Sequence, residues 1–125
     1  MEKKIKRSVA TLLAHIIKVD NRDIDKEAPL FCKIMGQDFD CDPKEAKAFL
    51  YTVMQEEYDI DEHLAIINDA LCNNRIDKMH LLEQINHIIY SDKITEKDYE
   101  EFEKIKNALF SCDNPVADAY LIKGN

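Results

Sequence analysis

Glycine is nearly missing from this chain. Two glycines and three prolines occur in 125 residues, and there is no tryptophan. All-β folds need many tight turns at positive φ, and glycine is the residue that supplies them. The scarcity excludes a β-sandwich or barrel and leaves long helices with short connections. With Gly36 and Gly124 as the only glycines, no glycine-rich phosphate loop can form. The common nucleotide-dependent enzymes are excluded with it. No apolar run reaches the ~20 residues of a membrane span. The four cysteines, Cys32, Cys41, Cys72 and Cys112, include no C-x-x-C pair. Zinc and iron–sulfur sites usually use closer spacing. They read as reduced, mostly buried thiols of a cytoplasmic protein. The apolar stretch 9–17 is broken by Thr11 and His15. No small-x-small cleavage site follows it, so it does not read as a secretory leader.

What is present is charge. The net charge is −8, unevenly spread. Residues 1–20 hold five basic and two acidic side chains, a net +3, so the rest of the chain carries −11. An acidic surface repels phosphate backbones, which argues against nucleic-acid binding. It favours cations, basic protein partners, or solubility alone. Lys3, Lys4, Lys6 and Arg7 form a basic N-terminus. Peripheral contact with an anionic membrane is one reading of such a cluster. The commoner reading is that these residues meet the acidic remainder of the same domain.

The length fits one domain, which buries roughly two-thirds of its unfolded surface without staples. Period and punctuation place six helical segments. The first spans about residues 3–19, with Ile5, Val9, Leu12, Leu13, Ile16 and Ile17 on one stripe. The second spans about 25–35, with Asp25 as N-cap, Gly36 as its stop, and 37–41 as a loop. Pro29 is expected to push its regular part later. Asp42-Pro43-Lys44-Glu45 then starts a third helix, to about Tyr58. Asp59 or Asp61 caps a fourth, which Asn73-Asn74 ends. The fifth spans about 77–90. Thr95, with Asp98 three residues on, starts the sixth, whose stripe is Tyr99, Phe102, Ile105 and Leu109. After Ser111 the pattern fails and 116–122 is an apolar tail. The expectation is an all-α, single-domain bundle of about six to seven helices, with its core in 3–110.

One internal echo stands out. His15-Ile16-Ile17-Lys18-Val19-Asp20 matches His87-Ile88-Ile89-Tyr90-Ser91-Asp92. Each copy then reaches an isoleucine and a new helix start, Ile24-Asp25 and Ile94-Thr95. This reads as a repeated helix–turn–helix unit. The pairing resembles the TerB-like family, named for tellurite-resistance proteins. Its pattern is an apolar helix, an Asp-Gly-x-Ile turn and an acidic-capped helix, given twice. Asn21 and Lys93 stand where that turn has glycine. The resemblance covers about residues 5–110. It implies a helical bundle with pseudo-twofold symmetry. It also implies a binding or stress-response module rather than an enzyme, with acidic residues near the turns that hold a metal cation.

Two clusters are candidate metal sites. Asp20, Asp23, Asp25 and Glu27 crowd the first turn, and Asp92 matches Asp20 in the second. Oxygen ligands so dense suit Ca²⁺ or Mg²⁺. Helix capping is the commoner reading of Asp25 and Glu27, which leaves Asp20 as the leading ligand. His80, Glu83 and His87 share one face of the fifth helix, the spacing of a zinc site on one helix. That face lies opposite the apolar stripe and is expected to meet solvent. Asp38, Asp40 and Asp42 alternate as in an EF-hand, but Pro43 and Phe49 stand where that loop needs glycine and glutamate. No local motif supports nucleophilic catalysis. The functional expectation is a non-enzymatic TerB-like binding module with protein partners. The alternatives are a small zinc enzyme on the His80–His87 face, or a metal-free adaptor.

Overall fold

The computed structural model describes residues 3–19, 22–91 and 94–110. A short 3₁₀ turn, Lys3–Ile5, leads into six α-helices: α1 (Lys6–Val19), α2 (Ile24–Phe39), α3 (Pro43–Gln55), α4 (Ile60–Ala70), α5 (Arg75–Tyr90) and α6 (Glu96–Leu109). No strand occurs among the described residues. None of the described helices is long and apolar enough to cross a membrane.

α1 is the centre of the bundle and touches each of the other five helices. Its sequence explains this. Residues 8–14 are all buried, as are Ile16 and Ile17. Its middle turns are apolar apart from Ser8, Thr11 and His15, and a segment of that kind has to be enclosed. Its few polar groups are satisfied within the bundle. The Thr11 hydroxyl donates to Arg7 O at 2.8 Å, and Ser8 Oγ lies 3.0 Å from His63 Nδ1 on α4. α2 and α3 pack as one pair, α4 against α6, and α5 against α2 and α6.

The helix starts follow local chemistry. Asp42 caps α3, accepting from Lys44 N–H at 2.7 Å, with Pro43 in the first turn. Asp59, not Asp61, caps α4. Thr95 and Asp98 form a reciprocal capping box on α6. Asn74 caps α5, which therefore begins at Arg75 rather than near Asp77.

Other expectations are corrected. The cap of α2 is Asp23, which accepts from Asp25 N–H at 3.0 Å, so Asp25 lies inside the helix. Pro29 sits within α2 and does not delay it; the side chain is exposed, so the carbonyl it leaves without a donor can meet water. α3 stops at Gln55, short of Tyr58. Gly36 does not stop α2, which runs one further turn to bury Phe39. The chain turns instead at Asp40, in the left-handed region at φ 54° and ψ 37°. Aspartate tolerates that geometry, and glycine inside a helix costs only about 1 kcal/mol. Tyr99, assigned to the buried stripe of α6, is 60% exposed.

A Cβ added at Gly36 would meet Cys41 O at 3.6 Å, an ordinary contact. Gly36→Ala is therefore expected to stabilise the protein by about 0.5–1 kcal/mol. Urea unfolding checks this; an equal or lower midpoint would show that the position needs glycine for another reason.

Candidate functional site

Arg22 joins the start of α2 to the end of α5 and the start of α6. The Arg22 N–H closes the end of α1 by donating to Ile17 O at 2.9 Å. Its side chain is 2% exposed and lies between two buried carboxylates. It donates to Asp98 Oδ2 at 2.9 Å and to Glu27 Oε2 at 3.4 Å. It also donates to the last carbonyls of α5, Ile88 O at 3.2 Å and Ile89 O at 2.9 Å. The other Glu27 oxygen accepts from Ser91 Oγ at 2.5 Å. One cation thus ties the starts of α2 and α6 to the end of α5.

Of the proposed oxygen ligands, Glu27 is committed to this network, and Asp23 caps α2. Asp25 is exposed and accepts from the Tyr51 hydroxyl. Asp20 and Asp92 lie outside the described residues. His80, Glu83 and His87 are exposed on α5 as expected. The structure does not join them into one set. His80 Nε2 pairs with Asp38 Oδ1 at 2.8 Å, and His87 Nδ1 lies 3.1 Å from Gln84 Oε1. Among the described residues no three His, Cys, Asp or Glu side chains converge as metal ligands would. Asp38 is inside α2, Asp40 ends it and Asp42 caps α3, so the alternating aspartates form no loop.

A second polar chain ties α1 to its neighbours. His15 Nε2 lies 2.8 Å from Glu101 Oε1 on α6, and His15 Nδ1 lies 2.8 Å from the Tyr58 hydroxyl. A neutral ring satisfies both by donating from Nε2 to the carboxylate and accepting the Tyr58 proton at Nδ1. Lys18 extends over Tyr58, its Nζ 5.0 Å from the ring centroid, and donates to Glu56 O at 3.2 Å. Burial lowers the His15 pKa, only partly offset by the bond and charge of Glu101; Lys104 and Lys18 lower it further. Burial likewise raises the Tyr58 pKa.

One feature open to a ligand, among several hollows of similar size, is a groove of about 420 Å³ between the start of α1, the end of α2 and α3. That volume is in the range of small-molecule sites. Ala10, Phe31, Met35 and Ala46 form its floor and Phe49 its wall. Where α3 crosses α1 the facing residues include Ala10 and Ala46, too short to fill the space. Lys6, Arg7 and Glu45 ring the mouth. Lys6 Nζ pairs with Glu45 Oε1 at 2.6 Å. The Cys41 thiol donates to the same oxygen at 3.2 Å. Burial, with the Glu45 bond, raises the thiol pKa, so it stays protonated near neutrality. Arg7 lies over Phe49, its guanidinium carbon 6.0 Å from the ring centroid. It makes no ion pair among the described residues.

Arg22, the His15 chain and the groove are not among the sequence candidates. Arg22 reads as one more polar loop residue in an acidic turn. The only hint is a single arginine among four acids. Its burial depends on contacts 66 to 76 residues away.

Two outcomes are expected. Arg22→Ala leaves Glu27 and Asp98 buried without their cation and should cost about 3–5 kcal/mol, measured by urea unfolding. A loss below about 1 kcal/mol, the scale of a surface pair, would refute this account. His15 is held below its unfolded pKa, so the unfolded chain binds the extra proton. Its contribution is present above about pH 6.5 and is lost as pH falls through the folded value. NMR titration of the ring should place His15 below the ordinary histidine value of about 6.5. A His15 midpoint at or above that value would overturn the assignment.

In comparison with known proteins, no family model, no curated sequence and no solved structure matched this chain.

Proposed function

We propose that this chain is a non-enzymatic helical binding module of the TerB-like kind, and that it binds through the groove between α1 and α3. The observation that carries the reading is the groove itself, an apolar space with an arginine at its mouth that no described carboxylate neutralises. The chemistry-bearing groups elsewhere are committed to bonds between helices: Arg22 with Glu27 and Asp98, His15 with Tyr58 and Glu101, His80 with Asp38. Groups so engaged hold an architecture, and they are not free to transfer protons to a substrate. The TerB-like echo in the sequence, His15–Asp20 against His87–Asp92, supports the same reading. A stress-response role, tellurite resistance included, follows from that likeness.

The test uses an anionic naphthalene-sulfonate dye that fluoresces in apolar surroundings. The native protein should bind it at one site, while still unfolding cooperatively on heating, which separates a built site from a molten state. Ala48 is exposed and lines the groove. Ala48→Trp should fill the mouth and abolish dye binding with little change in melting temperature. No binding by the native protein, or undiminished binding by the variant, would sink the proposal.

A further inference from the structure

We infer that the α5–α6 face is a docking surface for this chain's own C-terminal segment 113–123. The inference concerns a different face from the α1–α3 groove and does not depend on it.

The surface along α5 and α6 is open and apolar. A hollow of about 560 Å³ lies between Met79 and Leu82 of α5 and Phe102 and Phe110 on the other side. A second, of about 200 Å³, shares Asn86 and Phe102 with it and carries on to Tyr90 and Tyr99. Together they make one trough along the helix pair. Its borders are side chains that solvent reaches: Met79 is 55% exposed and Tyr90 62%. Ile76, one turn before Met79, is 82% exposed. Of the five large apolar side chains exposed among the described residues, four lie on α5 and α6, and only Ile66 lies elsewhere. Apolar surface gathered in this way marks a place where another segment packs.

The chain itself supplies that segment. α6 ends at Leu109, and Phe110, the last described residue, closes one end of the trough beside Arg75. Residues 111–125 follow. Within them, 116–122 is apolar at every position except Asp118. Length suffices, because residues 111–125 reach about 22 Å even as a helix, and α6 is about as long. A segment tethered at the mouth of the trough is present at an effective concentration of about millimolar, which favours it over a separate partner.

Charge gives the direction. Arg75 and Lys106 stand toward the Phe110 end of the trough, and Glu83 and Glu103 further along it. The pair that Lys106 and Glu103 make with each other, at 3.5 Å on the exposed surface, is of a kind worth little. The segment carries its own charges in the complementary order, Asp113 and Asp118 first and Lys123 last. Turning back at Phe110 and running antiparallel to α6, it brings its aspartates to the basic end and its lysine to the acidic end.

NMR of the full-length protein tests this. NOEs are expected from the Val116 methyls to Met79 or Phe110, and from the Leu121 or Ile122 methyls to Phe102 or Tyr99. In a mixture of labelled and unlabelled protein, none of them should arise between molecules. Leu121→Asp should abolish the NOEs at Phe102 and Tyr99 while thermal unfolding stays cooperative. Met79→Glu, at an exposed position, should weaken those at the other end. Absence of these NOEs in the native protein, or their persistence in Leu121→Asp, would overturn the inference. The reverse order of contacts would overturn it too. So would NOEs found only between molecules, which would make the α5–α6 face an interface between two copies.

Discussion

The fold turns on one buried cation. Arg22 is enclosed where the start of α2, the end of α5 and the start of α6 meet. Each element brings a charge of the right sign. Helix starts carry partial positive charge, and Glu27 and Asp98 offset it in α2 and α6. The end of α5 carries partial negative charge on its last carbonyls, and Arg22 donates to two of them, Ile88 O and Ile89 O. Desolvating three charges is costly, and only this density of bonds returns the energy. The gain is also one of specificity, because a shift of α5 by one residue would strand the guanidinium.

The rest of the bundle is arranged around α1 by the same rule of satisfied polar groups. Ser8, Thr11 and His15 interrupt the apolar middle of α1, and each finds a partner. Ser8 reaches α4, and His15 reaches α6 and the segment joining α3 to α4. These bonds fix α4 and α6 against α1. The meeting of α1 with α3 is different in kind. It is built on small side chains, Ala10 and Ala46, with its one ion pair, Lys6–Glu45, at the exposed edge, and packing leaves a groove there. The open site is thus a consequence of where the sequence places alanine on a helix that is otherwise large and branched.

How far the sequence reveals this depends on whether the deciding interaction is local. Asp42-Pro43 and Thr95-x-x-Asp98 act within one turn, and both starts are legible. Gly36 misleads because its cost is local while the burial of Phe39 that outweighs it is tertiary. Assigning Glu27 to the helix dipole is correct as far as it goes. Its main partners are Arg22 and Ser91, the latter 64 residues away. The candidate site is less legible still. Nothing in the spacing of Lys6, Arg7, Phe31, Met35 and Phe49 marks them as neighbours, since three different helices bring them together.

The distinction between fold and function in this molecule is then one of commitment. Arg22 and Arg7 carry the same side chain in opposite circumstances. Arg22 is dry and surrounded by acceptors; its free energy is spent on joining helices, and salt would screen it little. Arg7 is exposed, stacked on one ring, and unmatched by a carboxylate among the described residues. In a protein of net charge −8, with acidic side chains close by, an unmatched arginine is the exception. Its guanidinium keeps its capacity to bind an anion. Beside it lies the apolar groove whose floor the packing of α1 on α3 could not fill.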